Sequence, residues 1–286
     1  MAQINDLNVD TKYSSIVEPN LYADSFLIPN VVFTNKYQEG PAGQIMVHKM
    51  TKGSVSVKAP GNDFTDEDVE DTLIPITLNN CYQKSEKIYG AQANAVAFNI
   101  GEETIQKAVK TIKEAREEGA LACLAEEGTT VEDTDDITSD NVVEKLIALR
   151  KAVKDKKGNP NYALVSTDVY AKLLGKVGLQ SYADPAVVSA ELIKRFGLSI
   201  IECNAFGNEE AEYYDNTGTK KTVDLSAIDM IVGNGEAFSI VDLVNMARLR
   251  DSELFNGVKA QVEIVSGMTV TNADCILVKT HGTVSA

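Results

Sequence analysis

The sequence predicts an α+β chain in which ribbon-like strands come first, then one long helix, then an α/β module closed by further strands. Three observations carry this. Gln44–Met50 and Thr72–Leu78 alternate apolar and polar side chains, the period of a strand. From Ile100 the period becomes helical, with Ile105, Val109, Ile112, Ala115, Gly119 and Cys123 three or four residues apart. Between 159 and 235, short apolar runs of strand length alternate with segments bearing helix caps.

Residues 1–37 form an unusual start. Pro19 and Pro29 interrupt any long helix, yet the segment carries Ile16, Val17, Leu21, Tyr22, Phe26, Leu27, Ile28, Val31, Val32 and Phe33. An apolar, irregular arm is costly to leave in water, so it is expected to lie across a surface of its own subunit or of a neighbour.

The strand Gln44–Met50 is followed by a second alternating run, Ser54–Lys58, with Val55 and Val57 on one face. A turn cluster follows at Pro60-Gly61-Asn62, and then an acidic run of Asp63, Asp66, Glu67, Asp68, Glu70 and Asp71. Thr72–Leu78 resumes the alternation through Ile74, Ile76 and Leu78, and Pro75 marks an edge strand. Together these read as a long hairpin, each arm up to about 60 Å if fully extended. A lone two-stranded ribbon is marginal in water, so this one needs a supporting surface. The pattern leaves open whether that surface is its own domain or a neighbour.

The long helix is expected from about Gly101 to Glu127, with Lys107, Lys110, Lys113, Arg116 and Glu117 on its outer face. Small residues near its end (Gly119, Ala120, Ala122, Ala125) allow close backbone approach. A second helix runs from about Asn141 to Asp155, with Ser139, Asp140 and Asn141 as N-cap candidates and Gly158 at its C-terminus. A buried strand Tyr162–Val165 leads into a helix over Thr167–Leu174 that Gly175 is expected to stop. Asp184-Pro185 opens another helix, closed by Gly197 after Phe196. Then come a strand Leu198–Cys203, a polar loop Asn208–Thr222, and strands at Ile228–Val232, Ala237–Val244, Val258–Val265 and Thr269–Lys279.

Composition excludes several function classes. The net charge of −15, from 42 acids against 27 bases, opposes tight nucleic-acid binding, which needs clustered Lys and Arg. Lys151, Lys154, Lys156 and Lys157 form one basic cluster, whose simplest role is to complement a helix C-terminus. No apolar run reaches the ~18 residues of a membrane span, and the N-terminus lacks the layout of a signal peptide. Cys81, Cys123, Cys203 and Cys275 are far apart, as are His48 and His281, so zinc spacing is absent and reduced thiols are expected. The run Asp133-x-Asp135-Asp136 resembles a calcium loop, but Ile137 and Thr138 stand where an oxygen ligand and the turn glycine belong. Gly233-Asn234-Gly235 lacks the third glycine and the helix of a dinucleotide turn. No catalytic residue, cofactor-binding residue, cofactor or metal ligand is therefore predicted. Partners of a catalytic triad meet only in space, so a two-domain α/β enzyme remains the remote alternative.

Two stretches carry a resemblance. Asn161-Tyr162-Ala163-Leu164-Val165-Ser166-Thr167-Asp168-Val169-Tyr170 runs strand into helix, and Gly267-Met268-Thr269-Val270-Thr271-Asn272-Ala273-Asp274-Cys275-Ile276-Leu277-Val278 is a closing strand. In this order, after an arm, a ribbon and a long helix, the chain resembles the major capsid proteins of tailed phages, the Hong Kong 97-like fold. The resemblance implies an N-terminal arm over 1–40 and an extended β-hairpin loop over 41–88. It implies a peripheral domain with a spine helix over 89–158 and 246–286, and an α/β axial domain over 159–245. It implies self-assembly through hexamers and pentamers into an icosahedral shell, made in the host bacterial cytoplasm and enclosing DNA without sequence-specific binding or a membrane. Because Met1 directly precedes a short arm, a separate scaffolding protein is expected, with a portal and a decoration protein as further partners. Lys52 and Lys58 lie in the loop without an identifiable asparagine partner, so crosslinking is not predicted. An encapsulin-like shell around a protein cargo is the alternative within the same fold.

Overall fold

The computed structural model describes residues 25–37, 43–50, 55, 57, 66, 68, 70–90, 100–133, 135–178 and 184–281. It has the mixed α+β architecture expected. The expected turn at Pro60-Gly61-Asn62, most of Ser54–Lys58, and Asp63 and Glu67 of the acidic run lie outside the described residues.

The first strands, β1 (Gln44–Met50) and β2 (Asp71–Thr77), pair antiparallel in a two-stranded sheet, with Met46 opposite Pro75. An unforeseen third strand, β3 (Asn80–Tyr89), follows at once. Its mixed run of Lys, Glu, Gln and Ser hides a strand that exposes every second residue. Helix α1 (Ile100–Glu127) spans 28 residues, about 42 Å at 1.5 Å per residue. It lies on an antiparallel sheet of β3 and two long strands, β10 (Phe238–Asp251) and β11 (Gly257–Val270), ordered β10-β11-β3. Ala108 and Ile112 pack there on Val262 and Ile264.

A five-stranded sheet forms the second body. Its order is β4 (Thr129–Thr130), β12 (Ile276–Thr280), β9 (Ile228–Gly233), β5 (Tyr162–Ser166) and β6 (Ser199–Cys203). β5 runs parallel to β6 and antiparallel to β9. Both faces are buried, which explains the unbroken apolar run of β5. Tyr162 and Leu164 point into a core with the end of α1, whereas Ala163 and Val165 point to helices α2 (Val142–Asp155), α3 (Thr167–Val177) and α4 (Pro185–Phe196).

Several local expectations are corrected. The expected loop Asn208–Thr222 contains a hairpin, β7 (Ala211–Tyr214) and β8 (Lys220–Val223). Its turn is organised by Asp215, whose Oδ1 accepts from the Thr217 and Thr219 amides, with Gly218 at φ 80°. Strands of four residues are too short to leave a periodic trace. The expected single strand Thr269–Lys279 is broken by a 3-10 turn at Ala273–Cys275. Gly175 does not stop α3; the chain continues to Val177 and turns left-handed at Gly178, φ 75°. At α2, Asn141 does not cap forward, because its Oδ1 accepts from the Thr138 amide before the helix. After α2 the left-handed residue is Lys157 and not Gly158. Asp184 and Gly197 cap α4 as expected.

Sheet membership also cuts across the expected segments. β3 pairs with β11 rather than extending the hairpin, and β12 joins the five-stranded sheet of 159–235. β10, starting at Phe238, belongs with the long helix.

Gly119 tests how tightly α1 is seated. A Cβ there would overlap the hydroxyl of Tyr82, a buried group with no hydrogen-bond partner among the described residues. Gly119→Ala is therefore expected to cost about 1–3 kcal/mol by overpacking, read from the urea midpoint. Adding Tyr82→Phe removes the overlapping oxygen without breaking a bond. The double variant should regain wild-type stability or exceed it, since alanine favours the helix by up to about 1 kcal/mol.

Candidate assembly surfaces

The hairpin divides into a rooted half and an exposed half. At the root, Val47 of β1 and Ile76 of β2 are buried on Val241 of β10, flanked by Tyr37, Ile45, Ile74 and Leu78. Gly267 of β11 lets the strand pass, because a Cβ there would lie 2.8 Å from the Thr77 carbonyl oxygen.

Beside this apolar contact is a polar socket made by the β7–β8 turn. The Thr77 amide donates to Asn216 Oδ1 at 3.0 Å, and the Thr77 hydroxyl donates to the Asn216 carbonyl at 3.0 Å. Asn80 closes a two-bond ring with the Tyr214 backbone, at 2.9 and 2.7 Å. The network continues inward. Asn216 Nδ2 donates to Thr269 Oγ1 at 2.8 Å, and the Thr269 hydroxyl donates to Glu127 Oε2 at 3.2 Å. The Val270 amide donates to the same carboxylate oxygen at 2.8 Å. A continuous chain of bonds thus links the last residue of α1 to the hairpin.

Outward from the root the hairpin loses its own support. Met46, Leu73, Met50, Val55 and Val57 are exposed, the last two at 90% and 97%. Lys49 reaches back to the Thr271 carbonyl at 3.2 Å. The evenly balanced question of what supports the ribbon thus has a divided answer: its own domain holds the root, and nothing among the described residues covers the rest.

The described part of the arm, residues 25–37, is anchored by its apolar side chains, while Ile28, Pro29, Asn30, Asn35 and Lys36 face solvent. Phe26, Leu27, Val32 and Phe33 are buried with Leu121, Leu124 and Phe238 of the same chain. Thr34 accepts from the Ile240 amide at 3.1 Å and donates its amide to the Phe238 carbonyl at 2.8 Å. A second exposed apolar patch lies at the far end of the β10-β11-β3 sheet. There Tyr89, Leu249 and Leu254 face solvent, and the Phe255 ring lies 5.0 Å from that of Tyr89.

The acidic features are structural or solvated. Lys145 Nζ binds Asp133 at 2.6 Å and Asp135 at 3.2 Å, while buried Lys279 Nζ donates to the Asp133, Asp135 and Thr280 carbonyls. The loop that resembled a calcium site is thereby tied to α2 and β12 by two ammonium groups. Lys156 of the basic cluster pairs with Asp274 at 2.7 Å. A cleft of about 440 Å³ between the arm, α1 and the 204–208 turn carries Glu114, Glu117 and Glu118. Burial raises the carboxyls of Glu114 and Glu117 above the usual range.

His281 Nδ1 faces Asp229 Oδ1 at 2.9 Å, and His48 faces Asp71. Among the described residues neither histidine bonds a serine, threonine or cysteine. Cys123, Cys203 and Cys275 are buried, with the Cys203 thiol pushed up to about 12 by burial, and Cys81 is exposed. Among the described residues no three acidic, histidine or cysteine side chains gather as metal ligands, and no helix is long and apolar enough to cross a membrane.

A family model described as phage capsid protein matches residues 94–278. No curated protein matches the chain. Among solved structures, the capsid of cyanophage P-SCSP1u aligns at a TM-score of 0.73 with 12% identity, covering 98% of this chain and 94% of that one. A Mycobacterium phage Che8 structure aligns at 0.69 with 14% identity, covering 96% and 97%. A virus-like particle from Pyrococcus furiosus aligns at 0.55 with 12% identity, covering 85% and 90%. These likenesses give the fold, the Hong Kong 97-like one.

Glu127 makes the root sensitive to pH. Burial raises its carboxyl above the ordinary 4.5, against the opposing hydrogen bonds from Val270 and Thr269, and nearby Asp215 adds to the rise. The folded chain then holds this proton to higher pH than the unfolded chain does. Its contribution to stability is greatest below 4.5 and declines as pH rises through the folded value. Glu127→Gln keeps an acceptor for Val270 and removes the charge. The variant should match the wild type near pH 4 and equal or exceed it at pH 7, measured by urea unfolding at each pH.

Proposed function

This chain belongs to the phage capsid protein family and is a structural subunit of a capsid shell, and from that premise we propose how it builds one. Copies associate as hexamers and pentamers into a closed icosahedral head that encloses DNA without reading its sequence. The observation that carries this reading is the hairpin: its root is bonded to its own subunit, and its outer half presents Met46, Met50 and Leu73 to solvent. An apolar ribbon standing clear of its own core is supported when it lies on a neighbour.

The proposed domains follow the sheets. A peripheral unit comprises α1 with β3, β10 and β11, and an axial unit comprises the five-stranded sheet with α2, α3 and α4. Residues 1–40 are the arm, and the extended loop ends near Leu78, where β3 begins its pairing with β11. The net charge of −15 suits a wall that meets packaged DNA without holding it. Assembly in the bacterial cytoplasm, with a scaffolding protein, a portal and a decoration protein as partners, completes the reading, and coexpression tests each partner singly. A shell around a protein cargo is the weaker reading, since the family model that matches is that of phage capsid protein and phage structures align over nearly the whole chain.

The purified protein, alone and with a scaffold, should give shells or rings of five and six in negative-stain micrographs. A monomer or dimer that never assembles overturns the proposal. Replacing residues 52–70 by a short turn should leave the urea midpoint nearly unchanged, because the root bonds lie outside the deletion, and should abolish shells. If that variant unfolds, the hairpin belongs to the subunit's own core.

A further inference from the structure

The sequence contains two Asn-Gly pairs, Asn234-Gly235 and Asn256-Gly257. An asparagine followed by glycine can modify itself. The glycine amide nitrogen attacks the asparagine side-chain carbonyl, because no Cβ shields that nitrogen. Whether it does so in a folded chain depends on who holds the two groups, and this structure treats the pairs oppositely.

At the first pair both groups are engaged. The Gly235 amide donates to Asn161 Oδ1 at 3.0 Å, and Asn234 Oδ1 accepts from the Glu236 amide at 2.9 Å. Gly235 is buried against the Val31 and Val32 backbone.

At the second pair neither group is held among the described residues. Asn256 is exposed at the tip joining β10 to β11, and its side-chain amide makes no hydrogen bond among the described residues. Its carbonyl accepts from the Gly90 amide at 3.0 Å, so the 256–90 pair is the hydrogen-bonded one towards β3 and Gly257 must face β10 instead. There the Gly257 carbonyl accepts from the Ser252 amide at 3.0 Å, but the reciprocal bond from the Gly257 amide is not made. Glycine is required at this site, since φ is 156° and a Cβ would overlap the Ile88 carbonyl oxygen.

We infer that Asn256-Gly257 is a self-modifying site that converts Asn256 to aspartate and isoaspartate. The Gly257 nitrogen loses its proton to solvent base and bonds to Asn256 Cγ. The Asn256 side-chain nitrogen takes up a proton and leaves as ammonia, giving a cyclic imide. Water then opens the imide at either carbonyl, and no oxidation state changes. The product places a carboxylate, or an inserted methylene, beside Lys87, Tyr89 and Phe255 at the end of the sheet.

The test is peptide mapping by mass spectrometry of the full-length protein held in mildly alkaline buffer, folded and in denaturant, with isoaspartyl methyltransferase to score isoaspartate. In the folded protein Asn256 should convert several-fold faster than Asn234, with isoaspartate in its peptide. In denaturant the two rates should converge, because the protection of Asn234 is conformational. Asn256→Gln should abolish the isoaspartate at this tip while leaving the Asn234 signal unchanged. The inference is overturned if Asn256 stays intact in the folded chain, or if folding leaves the ratio of the two rates unaltered.

Discussion

The close approach of the last turns of α1 to everything around them is the constraint on which the other elements depend. From Gly119 to Ala125 every residue is buried, and the side chains on this run are small except for Leu121, Leu124 and the Cys123 thiol. A helix that must touch β11, β3, β7 and β10 at once cannot present wide side chains in each direction. Leu121 and Leu124 then supply the apolar area, with Tyr162, Tyr213, Phe238 and the arm's Phe26 and Phe33 packed in the same cluster. The two bodies of the chain meet here, so the seating of this helix fixes where the five-stranded sheet stands relative to the long ribbon.

That seating also explains why the hairpin root is polar. The end of α1 carries Glu127 and no basic residue, so its carboxylate lies at the unfavourable end of the helix dipole. It is retained because Val270 and Thr269 donate to it and because Thr269 passes the connection to Asn216. Hydrogen bonds of this kind stabilise by only about 1 kcal/mol each, but they fix direction and register in a way that a small apolar contact such as Val47–Ile76–Val241 does not. The ribbon therefore leaves the body at a set angle with little core beneath it.

What was legible in the sequence was periodic or capped. The 28-residue helix, the β1–β2 hairpin, β5, and α4 with Asp184 and Gly197 could be read because each repeats its signal over several residues or marks its ends chemically. What was not legible depended on tertiary partners. β3 exposes alternate charged residues and is a strand because β11 lies beside it. β7 and β8 are four residues long and exist because the Asp215 turn closes them. Gly175 looked like a helix stop, but the left-handed turn fell three residues later, where Gly178 could adopt it. The socket was invisible for the same reason: Thr77, Glu127, Asn216 and Thr269 are each 50 or more residues apart in sequence and meet only after folding.

Charge and exposed apolar surface then work at different ranges. With a net charge of −15, copies of the chain repel one another at a distance, but at physiological salt that repulsion fades beyond about 8 Å. The exposed apolar side chains act only at contact, and several of the most exposed lie at the extremities: Met50 and Leu73 on the hairpin, Leu254 and Tyr89 at the end of the long sheet. Each such site is small, so a single pairwise contact is weak and its geometry can be corrected before others form. Some acids are meanwhile neutralised within the subunit, as Asp133 is by Lys145 and Asp242 by the bidentate Arg116. Small, separated sites of this kind leave the described surface without the single large apolar face that drives aggregation.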